Sequence, residues 1–97
     1  GGLDEYRFEK TVIPLRLALY EGETLVSRSQ AKRLLNRVEK FRIVILDFEG
    51  VDAIGQGFAD EVFRVLASQH EEIELIPVGA TTRVQQMINR VHADRFE

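Results

Sequence analysis

Residues 42–64 read RIVILDFEGVDAIGQGFADEVFR, and the fold is decided here. Arg42-Ile43-Val44-Ile45-Leu46-Asp47-Phe48 has a β-branched aliphatic core without alternation, the pattern of a central strand covered on both faces in a parallel sheet. Glu49 to Ile54 is a connecting loop in which Gly50 admits a positive φ. A helix begins at Gln56 or Gly57. It buries Phe58, Ala59, Val62, Phe63 and Leu66 and exposes Asp60, Glu61 and Arg64.

Upstream, Ser27-Arg28-Ser29-Gln30 fits a capping box, with the Ser27 hydroxyl accepting from the amide three residues on and Gln30 reaching back. Ala31, Leu34, Leu35, Val38 and Phe41 follow as one apolar stripe, which predicts a helix with its basic residues on the other faces. Residues 6–20, YRFEKTVIPLRLALY, alternate in stretches and read as one bent strand or two short ones, with Pro14 marking an edge or the break. Downstream, Ile73, Leu75, Ile76 and Val78 form another strand. Thr82 to Gln85 repeats the capping-box spacing before the stripe Val84, Met87, Ile88 and Val91. The expected order is β(β)αβαβα: an α/β domain with a four-stranded, mostly parallel or mixed sheet and about three helices packed on it. The domain is expected over residues 6–92, with residues 1–5 a tail or the remnant of a longer chain and 93–97 a frayed end. Gly1 in place of Met is what a domain cut from a longer chain would show.

The 97 residues allow one small domain, and at 44% hydrophobic and 30% charged it is expected to fold around one core without a deep cavity. With no cysteine there is no disulfide, thiolate nucleophile or Cys-ligated metal, and only His70 and His92 could offer imidazole. No metal site and no cofactor are expected. The longest aliphatic run, Ile43 to Leu46, is far below the roughly 20 residues that cross a bilayer, and no signal segment opens the chain, so a cytoplasmic location without membrane attachment is expected.

The formal charge of −3 hides an asymmetry. Residues 27–42 carry Arg28, Lys32, Arg33, Arg37, Lys40 and Arg42 against Glu39, a local +5; residues 47–74 carry eight carboxylates against Arg64, a local −7. Such a pattern suits either two solvated helix faces or a charged docking surface. With a pI near 5.4, direct binding of nucleic acid is not expected.

The Gly55-Gln56-Gly57 turn resembles a phosphate-cradling loop in opening a helix after a strand, but Asp60 replaces the third glycine of a dinucleotide fingerprint and no Walker lysine follows. Asp60 and Glu61 are adjacent on a helix and point about 100° apart, so they do not converge on one ion. Asp60 with Arg64 has ordinary i,i+4 pairing. No histidine lies within sequence reach of the Ser27 or Ser29 hydroxyl, and no nucleophile–base pair emerges, so an enzyme is not expected.

The stretch Asp47-Phe48-Glu49-Gly50-Val51-Asp52-Ala53-Ile54-Gly55-Gln56-Gly57-Phe58-Ala59-Asp60 resembles the signature of STAS domains, the sulfate-transporter and anti-sigma-factor-antagonist fold. Together with Ser27-Arg28-Ser29-Gln30-Ala31-Lys32-Arg33-Leu34-Leu35, it is similar to bacterial STAS-like domains of unknown function, over about residues 7–91. The resemblance implies a binding module acting in signalling or transcription regulation. Its partner would be a histidine-kinase-like ATPase region, in the same or another chain. In anti-sigma-factor antagonists that ATPase phosphorylates the first Ser of an Asp-Ser-Ser-Gly motif. In this chain Gly55 stands at the Asp, Gln56 at the first Ser, Gly57 at the second and Phe58 at the Gly. Gln56 has no hydroxyl, so the phosphorylation switch is missing. The contact residues implied are Gly55, Gln56, Gly57, Asp60, Glu61 and Arg64, with Arg28, Ser29 and Arg33 from the preceding helix. The alternative expectation is a sensor binding a nucleotide or other anion at the same helix start. A weak homodimer is compatible with either.

Overall fold

The aliphatic runs become three strands in the computed structural model, which describes residues 8–20 and 22–95. They are β1 (Phe8–Pro14), β2 (Phe41–Asp47) and β3 (Glu74–Val78), all parallel, in the spatial order β1-β2-β3. β2 is central, as its sequence required. The helices are α1 (Arg16–Tyr20), α2 (Arg28–Leu34) and α3, which starts as Gln56–Asp60, continues through a π-helical stretch Glu61–Leu66 and ends as Ala67–Gln69; α4 is Thr82–Arg95.

Parallel crossovers are almost always right-handed, and two such crossovers stepping in one direction across a sheet place their helices on the same face. Burial follows that rule. The rows Thr11–Val44–Leu75 and Ile13–Leu46–Pro77 share one face, where Val44 and Leu46 are fully buried. The rows Lys10–Ile43–Glu74 and Val12–Ile45–Ile76 share the other. On that second face Ile43, Ile45 and Ile76 are only partly buried and lie outside the hydrophobic core, while Val12 is 52% exposed. Among the described residues β2 is therefore covered on one face, which corrects the reading of its unbroken aliphatic run. That run signals two apolar faces, and it does not signal what lies on each.

The expected fourth strand is absent from the described residues. Pro14 ends β1, and Leu15 donates its amide to the Asp47 carbonyl at 3.0 Å as the chain turns into α1. Leu15, Leu17 and Leu19 look like strand alternation, but Leu15 and Ala18 are buried and Leu17 is 52% exposed, which is helical spacing. The stripe after Ser27 is also interrupted. α2 ends at Leu34, Arg37 adopts φ 79°, and Val38–Lys40 form a 3₁₀ turn that still buries Leu35 and Val38.

α3 occupies the middle of the helical layer, in contact with α2 on one side and α4 on the other. Phe58 through Phe63 are consequently all buried, including Asp60 and Glu61, which the periodicity placed on the outside. α4 is capped by Thr81 rather than Thr82: the Thr81 hydroxyl accepts from the Val84 amide at 3.1 Å and donates to the Asp52 carbonyl at 2.8 Å. With neither Gly nor Pro after Val91, α4 runs on to Arg95. Residues 1–5, called a tail from sequence, and residues 96–97 lie outside the described residues.

The one-sided core predicts unequal costs along β2 and its neighbour. Leu46→Ala should destabilise by about 3 kcal/mol, while Val12→Thr should stay within about 0.5 kcal/mol, both read from urea unfolding.

Candidate functional site

Ser27 starts α2 through the full reciprocal cap. Its Oγ accepts from the Gln30 amide at 3.2 Å, and Gln30 Oε1 accepts from the Ser27 and Val26 amides at 2.9 Å each. The cap turns the preceding segment, Leu25-Val26, so that its carbonyls face the start of α3. Gly55 donates its amide to Leu25 O at 2.8 Å, and Phe58 donates to Val26 O at 3.1 Å.

This pairing explains the two glycines. Gly55 has φ −81°, a conformation any residue adopts, so its requirement is space rather than backbone freedom. A Cβ there would lie 2.7 Å from Val26 Cα and 2.9 Å from Val26 O; at Gly57 it would lie 3.0 Å from Val26 O. The backbone that approaches this turn is the chain's own. Two of the amides at the head of α3 are also already donating to it.

Below the glycines, α2 and α3 are clamped by charge. Arg64 grips both Asp60 oxygens through Nε and Nη2, the latter at 2.8 Å, and Arg28 Nη1 from α2 pairs with Asp60 Oδ2. Glu61 Oε1 lies 3.8 Å from the same Arg28 nitrogen. Asp60 is 7% exposed, while the arginine side chains keep 51% and 42% of their surface in water. The hydrogen bonds from Arg64, reinforced by Arg28 against the opposing effect of burial, hold the Asp60 carboxyl down at about 2 instead of 3.8. The expected surface pair is thus an interhelical cluster. It became one because α2 supplied a second guanidinium that the α3 sequence does not reveal.

Of the residues singled out from sequence, Gln56, Arg28, Ser29 and Arg33 present solvent-exposed side chains, and Arg64 is half-exposed. Gly55 and Gly57 face Val26, and Asp60 and Glu61 lie beneath the arginines. Arg33 points away, toward Glu23 Oε1 at 2.5 Å. Leu25, Val26 and Glu23 were not anticipated. The Gly-x-Gly spacing announces a close approach without naming what approaches. Beside the cluster, Lys32, Arg37, Glu39, Glu61 and Gln69 border an open cleft of about 380 Å³ between α2 and α3. His70 Nδ1 lies 3.3 Å from Glu72 Oε1, and His92 meets the Phe63 ring edge-on at 5.8 Å. Among the described residues no three His, Asp or Glu side chains gather as a metal site, and no helix is long and apolar enough to cross a membrane.

Gly55→Ala should cost about 2 kcal/mol or more in chemical denaturation, because backbone rather than a flexible side chain must yield. Asp60→Asn should cost about 1–3 kcal/mol at pH 7. A carboxyl held below its unfolded value stabilises above that value and ceases to do so as pH falls toward the folded one. The gap between wild type and Asp60→Asn should therefore shrink from about pH 4 to about pH 2, and a constant gap would refute the cluster.

No curated protein and no solved structure matches the chain. A family model described as a STAS-like domain of unknown function matches residues 30–85, more than half of the chain and a span that holds β2, α3, β3 and most of α2. The strand–loop–helix unit that carries the close approach to Val26 lies inside that span, and the chain belongs to the STAS-like family so described.

Proposed function

We propose that this domain is a non-catalytic regulatory module that docks on a histidine-kinase-like ATPase region, in the same or another chain, as part of bacterial signalling or transcription control in the cytoplasm. The contact is centred on Gln56 and the outward side of α2. The observation that carries the reading is the state of Gln56. It is exposed at the first turn of α3, on a backbone held in place by Gly55 and Gly57 against Val26, where STAS relatives carry their phosphoacceptor. A rigidly held, exposed helix start is a fitting anchor for a protein partner, because little ordering remains to be done on binding.

Gln56 offers an amide that both donates and accepts, and it takes no phosphoryl group. Recognition through it is constitutive rather than switched. Around it, Arg28, Lys32 and Arg33 on α2 and Arg37 in the turn after it are exposed basic residues, so the complementary partner surface is acidic and the association rate should fall with salt. Glu61 and Asp60 contribute by holding Arg28 and Arg64 in position rather than by touching the partner. The sensor reading has less support, because the Gly55 and Phe58 amides that an anion would seek already donate to Leu25 and Val26.

Gly57 is a poor probe of docking, since any side chain there presses on Val26 O. Gln56→Asp and Gln56→Trp change only exposed atoms. In calorimetric titration against the ATPase region encoded in the same or a neighbouring reading frame, each should raise Kd at least about 10-fold while leaving Tm within about 2 °C. No binding by the wild type, or equal affinity of wild type and variants, would overturn the proposal.

A further inference from the structure

The uncovered face of the sheet needs an occupant. All-parallel sheets occur almost entirely with both faces covered, and among the described residues this one leaves Val12, Ile43, Ile45, Ile76 and Val78 in a contiguous apolar patch on the side away from the helices. Val12 and Val78 are 52% and 39% exposed. This patch lies across the sheet from α2 and α3, so it is separate from the docking surface proposed above.

We propose that the patch is the interface of a symmetric dimer of this chain, with two sheets stacked face to face about a two-fold axis running along β2. The argument is self-complementarity. In the row Lys10–Ile43–Glu74 an exposed cation sits on the β1 edge and an exposed anion on the β3 edge, about 10 Å apart across the central strand. Rotation by 180° about β2 lays β1 of one copy over β3 of the other. Lys10 of each copy then lies over Glu74 of its mate, giving two equivalent opposite-charge contacts at the rim. The same rotation sets Val12 over Ile76 and Ile45 over Ile45, so apolar meets apolar through these two rows; Asp47, at the end of β2 on the same face, falls over its own copy with Oδ1 engaged by the Glu49 amide, a like-charge contact that further weakens the association. A two-fold axis perpendicular to the strands and centred on the Val12–Ile45–Ile76 row would instead put Lys10 near Pro14 and leave both charges without partners. Isologous contacts require this kind of self-matching, and sheets stacked about 10 Å apart leave room for both rim side chains to meet.

The patch measures roughly 14 by 16 Å from strand spacing and rise, so the two copies together cover on the order of 450 Å². That is below the approximately 1,200 Å² of standard stable interfaces, and the dimer is accordingly weak and concentration-dependent.

Sedimentation equilibrium of the chain from about 5 µM to 1 mM should show reversible monomer–dimer exchange. Ile45→Glu should raise the dimer Kd at least about 10-fold, and Lys10→Glu about 5-fold. The double exchange Lys10→Glu with Glu74→Lys should return it to within about 2-fold of wild type. Circular dichroism of each variant checks that the fold is intact, and Lys10→Glu, at an exposed position, serves if Ile45→Glu does not fold. A monomer up to 1 mM, a Kd indifferent to these substitutions, or failure of the double exchange to restore association would overturn the proposal; monomeric behaviour would point to a segment of another chain as the occupant. Gln56→Asp should leave the dimer Kd unchanged, which keeps this test separate from that of the ATPase contact.

Discussion

Three parallel strands laid down in sequence order, with crossovers that the rule for parallel sheets makes right-handed, constrain everything else in this domain. Each step moves the chain the same way across the sheet, so every crossover helix falls on one side. α3 is thereby placed between α2 and α4, and Phe58 to Phe63 have no route to solvent. The same constraint leaves the opposite face bare of the described residues' helices. A domain of this size has one core to build, and here it is built entirely between one helical layer and one face of the sheet.

Crowding on the helical side shapes the candidate site. The close approach of Val26 to Gly55 and Gly57 registers the start of α3 against the start of α2, and the Arg28–Asp60–Arg64 cluster locks the two helices a turn further on. Breaking an ion pair of this kind costs little when it is exposed and more when one partner is buried with both oxygens engaged, because a buried charge is left uncompensated. The acidic segment that looked like half of a bipolar surface is in part an internal counter-charge. What remains at this corner is a basic helix beside a neutral, exposed Gln56.

Elements were legible in the sequence wherever local chemistry dictated them. The Ser27 cap, the aliphatic β2, the loop with Gly50 at φ +83° and the stripe of α3 all follow from residue type and spacing. Features that depend on a neighbour were not. Leu15 to Leu19 carries both strand and helix periodicity, and only the end of pairing at Pro14 selects the helix. Asp60 and Glu61 read as surface residues because burial by α2 leaves no mark on the α3 sequence. The aliphatic run of β2 is the same whether one face or two are covered, and only strand order tells them apart. The family resemblance supplied the correspondence of Gln56 with a phosphoacceptor, while the reason for the flanking glycines came from the packing.

The account rests on the two faces of β2 and its neighbours being physically unlike. Because the chain has no cysteine, single Cys substitutions at Val12, Ile45 and Val78 on one face, and at Val44, Leu46 and Leu75 on the other, can be labelled one at a time with a thiol reagent. At sub-micromolar protein the first three should react at rates near those of an unfolded control. The second three should be slower by at least about 100-fold, limited by opening of the fold. Protection of both sets, or rates that do not alternate along β2, would contradict the one-sided architecture.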